Sequence, residues 1–243
     1  MVSNLGHYLM GLVLMTFLMI LLIVIIWFPL HIYFIETKWL PLFRLWLKLF
    51  YKVEVRGLEN FPKSGPCLLA CNHYSFLDWL IVMVVLPRPV HFIIDYNYYE
   101  APGLNLILKK VGAIPIAGGA DKPQLLKQAF VRVGEDLSTG KVVLIFPEGA
   151  ITRRGNIQKF RKGIVKIKAN NSAPVIPMSI DGLWGSLFSF SKPGLFSLKK
   201  INFKKRTVKV HIYPEYKNVE DLDGLKSIIF SDIQTKNNNY VLT

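Results

Sequence analysis

Residues 8 to 35 contain no Lys, Arg, Asp or Glu. A surface helix of a soluble domain does not go so long without charge, so this absence excludes that reading. The run is 28 residues (8 to 35 inclusive), about 42 Å if helical at ~1.5 Å per residue. A hydrocarbon slab is ~30 Å thick, so the run is long enough to span it with tilt. A secretory leader fits poorly. No basic residue precedes the run, it is too long, and no small-residue cleavage site follows. Pro29 interrupts it, which leaves two forms of anchor: a single span, or a helical hairpin dipping into one leaflet.

Cysteine is nearly absent. Cys67 and Cys71 flank one apolar run too tightly for a disulfide, which argues against a cross-linked scaffold and suits a reducing compartment. No second cysteine pair exists, so the sequence offers no metal site. Internal repeats and long low-complexity linkers are missing too. Acid is scarce: 16 Asp and Glu stand against 30 Lys and Arg, a net charge of +14 that lies wholly after residue 35. Residues 153 to 168 carry Arg153, Arg154, Lys159, Arg161, Lys162, Lys166 and Lys168 without one acid, and residues 192 to 209 are equally basic. Basic residues follow the apolar run and none precedes it, which places the remainder of the chain on the cytoplasmic side. Such stripes suit nucleic acid or an anionic headgroup layer. The chain carries no nucleic-acid motif, and each cation near a lipid surface adds ~1 kcal/mol, so the expected partner is membrane lipid and not nucleic acid.

Residues 37 to 52 set Trp39, Trp46 and Phe50 beside Lys38, Arg44, Lys48 and Lys52. Tryptophan next to basic residues suits the headgroup layer, and an interfacial helix is expected here in preference to a core helix. The expected organisation is an anchor with its interfacial helix over 1–51 and a single α/β domain over 52–243. In that domain the apolar patterns predict strands at 52–56, 67–71, 90–94, 112–116, 141–146, 175–180 and 207–212. Helices are predicted at 76–86, 104–110, 123–138, 163–169 and 219–234, with Pro123 as a first helical residue. Strands alternating with helices give one sheet with helices on its faces. In such folds the reactive side chains sit where strands end.

Two strand ends carry chemistry. Asn72-His73-Tyr74-Ser75-Phe76-Leu77-Asp78 follows the run Cys67–Cys71. A strand, a turn and a helix opening near Ser75 bring His73 and Asp78 together. A carboxylate on one imidazole nitrogen fixes the tautomer and leaves the other nitrogen free to take a proton from a hydroxyl. The alternative is a loop histidine and a surface acid. The second end is Phe146-Pro147-Glu148-Gly149-Ala150-Ile151-Thr152-Arg153-Arg154-Gly155. Here a carboxylate closing a buried strand needs a partner, and two arginines suit a phosphate. The alternative is a helix-capping Glu148 with solvated arginines.

These stretches, with Gly112-Ala113-Ile114-Pro115 and Val175-Ile176-Pro177, occur in the order found in the glycerolipid acyltransferases, and the chain resembles that family over about residues 52 to 215. The resemblance implies a mixed-sheet acyltransferase domain and the transfer of a fatty acyl group to the free hydroxyl of a lysophospholipid. The acceptor is 1-acylglycerol-3-phosphate or a lysophospholipid such as lysophosphatidylethanolamine. The donor substrate is acyl-CoA or acyl-carrier protein, with no cofactor and no metal. It implies that His73 is the general base and Asp78 its orienter, with no covalent acyl-enzyme; Ser75 is expected to cap the helix. Asn72, Ser75, Glu148, Gly149, Thr152, Arg153 and Arg154 are implied to form the acceptor site. The chain departs from the family where Ile151 stands in place of a common arginine, and where Ile116 is followed by Ala117-Gly118-Gly119. A catalytically silent lipid-binding protein of the same fold is the competing reading.

Overall fold

The computed structural model describes Met15 and residues 39–117, 122–156, 158–192 and 205–237. Apart from Met15, the charge-free run lies outside the described residues, as do the expected turn at Gly118-Gly119 and residues 193–204 of the second basic stretch. Among the described residues no helix is long and apolar enough to cross a membrane. The chain divides into two compact units, Met1–Phe43 and Arg44–Thr243.

In the second unit, seven strands form one sheet in the order β1-β7-β6-β2-β5-β3-β4. They are β1 (Tyr51–Arg56), β2 (Cys67–Cys71), β3 (Val90–Asp95), β4 (Ile114–Ile116), β5 (Val142–Ile145), β6 (Val175–Asp181) and β7 (Arg206–Ile212). All neighbours pair in parallel except β6 and β7, which run antiparallel. Cys67-Leu68-Leu69-Ala70-Cys71 and Val142-Val143-Leu144-Ile145 are buried at every position. Parallel strands covered on both faces read as unbroken apolar runs in just this way.

The side-chain alternation of the strands sorts the two faces. Leu68 pairs with Val143 and with Val175, and these residues share one core with Ala129 and Val133 of α5 (Pro123–Ser138), Ile164 of α6 (Gly163–Ala169) and Leu225, Ile229 and Phe230 of α7 (Leu222–Asn237). On the other face Leu69 pairs with Leu144, and Leu144 with Phe92. The Phe92 ring stacks on Trp79 of α2 (Asp78–Val85) at 4.8 Å. Pro177 sits in an interior strand without breaking it. It accepts the Tyr213 N–H at 2.9 Å but has no N–H to return, and the β6–β7 ladder stops at Met178↔Ile212.

Among the described residues the remaining α-helical elements are α1 (Trp39–Phe50), α3 (Tyr96–Tyr99) and α4 (Leu104–Lys110). The interfacial helix expected before the domain ends where β1 begins. In α1, Leu47 is buried, while Leu45, Leu49 and Phe50 stay exposed beside Arg44 and Lys48. The short α3 went unread in the sequence. It opens because the Asp95 carboxylate accepts the Asn97 N–H at 2.9 Å, an N-cap within a tyrosine-rich stretch.

Candidate active site

The helix after β2 starts at Asp78, later than its apolar pattern suggested. The cause is the Asp78 carboxylate itself. Its Oδ2 accepts the backbone N–H groups of Tyr74 at 2.7 Å and Ser75 at 2.8 Å, which holds residues 74–77 in a turn before the helix. The carboxylate also lies in the first helical turn, where a negative charge is favoured. Ser75 therefore does not cap α2, contrary to expectation. Its hydroxyl accepts the Leu77 N–H and donates to the Phe188 carbonyl at 3.1 Å.

The same Oδ2 takes a third donor, the Nδ1–H of His73 at 2.8 Å. Asp78 is fully buried, and among the described residues Oδ1 has no hydrogen-bond partner. Donation from Nδ1 fixes the tautomer, so Nε2 carries the lone pair. The His73 side chain keeps 16% of its surface exposed. Its ring lies flat on Phe146, centroids 3.9 Å apart and planes 9° from parallel. Phe146 directly follows β5, the strand beside β2.

The backbone of His73 is tied to the same loop. Its N–H donates to Glu148 Oε1 at 2.8 Å, and its carbonyl accepts the Thr152 N–H at 3.0 Å. Glu148 is 2% exposed, and its second oxygen accepts the Gln158 N–H at 3.3 Å. Burial pushes this carboxyl up to about 7, although both N–H donors and the charge of Lys226 favour its ionised form. On the other side of β2, the Asn72 side chain acts as a further rung. Its Nδ2 donates to the Ile180 carbonyl at 2.9 Å and its Oδ1 accepts the Ile180 N–H at 2.8 Å.

The rest of the 147–156 loop holds the other expected site residues. Gly149 has φ +73°, a conformation that favours glycine. Thr152 is buried and donates to the Asn156 carbonyl at 3.0 Å, so its hydroxyl closes the loop. Arg153 and Arg154 are exposed. The Arg153 guanidinium lies over the Phe190 ring at 5.1 Å, and Phe190 packs on Phe76 at 5.7 Å. Gly155, also at positive φ, lies against the Trp184 indole. The structure thus brings His73, Asp78, Glu148 and Thr152 into one bonded cluster at the carboxyl ends of β2 and β5, while the Asn72 side chain ties β2 to β6 beside it. Arg153 and Arg154 stand on its rim. Cys67 and Cys71 are buried free thiols, the former pushed up to about 12 by burial. Among the described residues no cluster of three metal-ligating side chains converges.

A profile of the acyltransferase family matches residues 52–181, which covers more than half of the chain, from β1 to the end of β6. The chain belongs to the acyltransferase family. Among its curated relatives is a chloroplastic 1-acyl-sn-glycerol-3-phosphate acyltransferase, BAT2, of Brassica napus, 31% identical over 144 residues, or 57% of this chain and 41% of the relative. Another is human 1-acyl-sn-glycerol-3-phosphate acyltransferase alpha, 31% identical over 146 residues, or 59% of this chain and 51% of the relative. The match thus spans about half the length of these relatives. In fold, the chain resembles the crystal structure of the 1-acyl-sn-glycerophosphate acyltransferase PlsC of Thermotoga maritima. The TM-score is 0.64 at 19% identity, covering 90% of this chain and 94% of that one.

Several contacts of this family site were missed from the sequence. Phe146 under the imidazole, the N–H of Gln158 on Glu148, and the carbonyl of Phe188 on Ser75 each join segments far apart in the chain. Only the aromatic at the end of β5 left a trace, as the residue before Pro147-Glu148-Gly149.

Proposed function

We propose that this chain is a membrane-associated acyltransferase that moves a fatty acyl group from a thioester, acyl-CoA or acyl-carrier protein, to the free hydroxyl of 1-acylglycerol-3-phosphate. The observation that carries the reading is the Asp78 oxygen that receives the Nδ1–H of His73 at 2.8 Å while two backbone N–H groups fix it in place. Nε2 of His73 takes the proton of the acceptor hydroxyl as its oxygen attacks the thioester carbonyl. The tetrahedral centre collapses, the C–S bond breaks, and the imidazolium returns its proton to the leaving sulfur. The Asp78 carboxylate stabilises the imidazolium. General-base help of this kind contributes ~100 to 10,000-fold.

No side-chain nucleophile is required. Ser75 is fully buried, with its hydroxyl donated to Phe188. The curated relatives that carry the name 1-acyl-sn-glycerol-3-phosphate acyltransferase support the choice of acceptor. Ile151 in the Glu-Gly-x-Ile-Thr stretch favours a second acceptor, lysophosphatidylethanolamine. The charge-free run and the exposed Leu45 and Leu49 of α1 beside Arg44 and Lys48 support attachment to a membrane, and the basic residues that follow the run support its cytoplasmic face.

The test is product formation by the full chain in anionic vesicles. Lysophosphatidate, lysophosphatidylethanolamine and both donor types are supplied, and products are identified by mass. The intact chain should float with the vesicles and form phosphatidate, while His73→Ala should float equally and form at least ~100-fold less. A wild-type chain that floats but forms no product with any pair would make it a silent lipid binder, and full activity in His73→Ala would end the mechanism.

A further inference from the structure

A cation that none of the sequence motifs marks lies against the turn of Glu148. A Cβ placed on Gly149 would come within 2.6 Å of Arg161 Nε, 2.8 Å of Cδ and 3.0 Å of Cζ. The guanidinium therefore rests on the bare Cα of Gly149, one residue from Glu148 and on the same turn as Phe146, whose ring stacks on His73. The backbone holds this placement, because the Arg161 N–H donates to the Pro147 carbonyl at 2.8 Å.

Arg161 is exposed, and among the described residues its side chain has neither a hydrogen bond nor an acid partner. Glu148 does not serve as one. Its two oxygens accept the N–H groups of His73 and Gln158, and among the described residues no ion pair joins them to Arg161. Arg153, by contrast, is committed to the face of Phe190. Residues 153 to 168 contain no acid, so nothing in this stretch neutralises the fork. A planar fork of five donors with no carboxylate is suited to two oxygens of a phosphate.

We propose that Arg161 binds the phosphate of the acceptor, a contact that the aliphatic Ile151 cannot make. Gly149 leaves open the space that the guanidinium takes. The inference rests on the proposed acceptor, a lysolipid with a phosphomonoester. Phosphate chemistry is also present in acyl-CoA, so the experiment separates the two sources.

Steady-state kinetics of the full chain in mixed micelles would compare wild type with Arg161→Ala, Arg161→Lys and Lys162→Ala. Lys162 is the neighbouring exposed cation. Arg161→Ala should raise KM for 1-acylglycerol-3-phosphate about 10- to 100-fold, the loss of one charge-assisted contact. Its kcat and its KM for acyl-CoA should stay within about twofold, and Arg161→Lys should fall between, since a point charge replaces a fork. The preference for 1-acylglycerol-3-phosphate over 1-acylglycerol should shrink by the same factor. An unchanged acceptor KM overturns the proposal. So does a rise in KM for acyl-CoA instead, or an equal effect in Lys162→Ala, which would mean diffuse charge. If the wild type fails to acylate the phosphate-bearing acceptor at all, the proposed function is what falls, and the inference falls with it.

Discussion

Replacing Glu148 by glutamine tests the electrostatics of the site without touching its base. The Glu148 carboxyl is pushed up to about 7 from an ordinary 4.5. The folded protein therefore holds this proton more tightly than the unfolded chain does. Below pH about 4.5 both states are protonated and the group is neutral in the balance. Between about 4.5 and 7 only the unfolded chain ionises, so the native state loses stability as pH rises, and above 7 the full penalty is in place. At 1.36 kcal/mol per pKa unit the penalty is about 3 kcal/mol. Glutamine cannot ionise and removes this slope. It also has one acceptor oxygen where the carboxylate has two, so it keeps the His73 N–H and turns an NH₂ toward the Gln158 N–H. That mismatch costs about 1 to 3 kcal/mol at every pH. Urea unfolding of both proteins in detergent, followed by tryptophan fluorescence from pH 4.5 to 8, reads the difference directly. Glu148→Gln should be the less stable protein at pH 4.5 and should gain about 3 kcal/mol relative to wild type by pH 8. Two curves that run parallel across the range would show that Glu148 carries no unusual proton, and the account of its burial would be wrong.

Asp78→Asn keeps an acceptor oxygen for the turn but offers the imidazole no anion. It should lower kcat by ~100-fold or more because the imidazolium loses its stabilising charge, while the acceptor KM stays put, measured as product per unit time in vesicles. Asn72→Ala leaves the Ile180 N–H and carbonyl buried without the partners they have now. It should destabilise the fold by about 3 kcal/mol, read as a lowered urea midpoint with an unchanged slope.

Much of the sheet was readable in advance because β2, β5 and β6 are covered on both faces and appear as unbroken apolar runs. The neighbours of each strand were not readable. Nothing in Tyr51–Arg56 says that it pairs in parallel with Arg206–Ile212, since that depends on the path of the whole chain. The contact of His73 with Asp78 was legible because it is local, made by one strand end and the turn after it. The tie between His73 and Glu148 was not, because it exists only once β2 and β5 lie side by side. The start of α2 was misjudged for a reason hidden in the same motif. Periodicity marks where an apolar face begins, but here a buried carboxylate gathers the preceding N–H groups and delays the helix to Asp78. The expected role of Ser75 as a cap failed with it. The contact of Arg161 with Gly149 left no mark in the sequence, because it depends on the return of residues 158–162 to Pro147.

The way His73 is fastened has a consequence for the tempo of the reaction. The segment after β5 holds both the main chain and the ring face, and Asp78 holds the ring edge, so the orientation of the imidazole is set by the fold. Its freedom is surrendered when the polypeptide folds, before any substrate arrives. For the acyl transfer proposed above, the cost of orienting the base is therefore met in folding and not in each turnover.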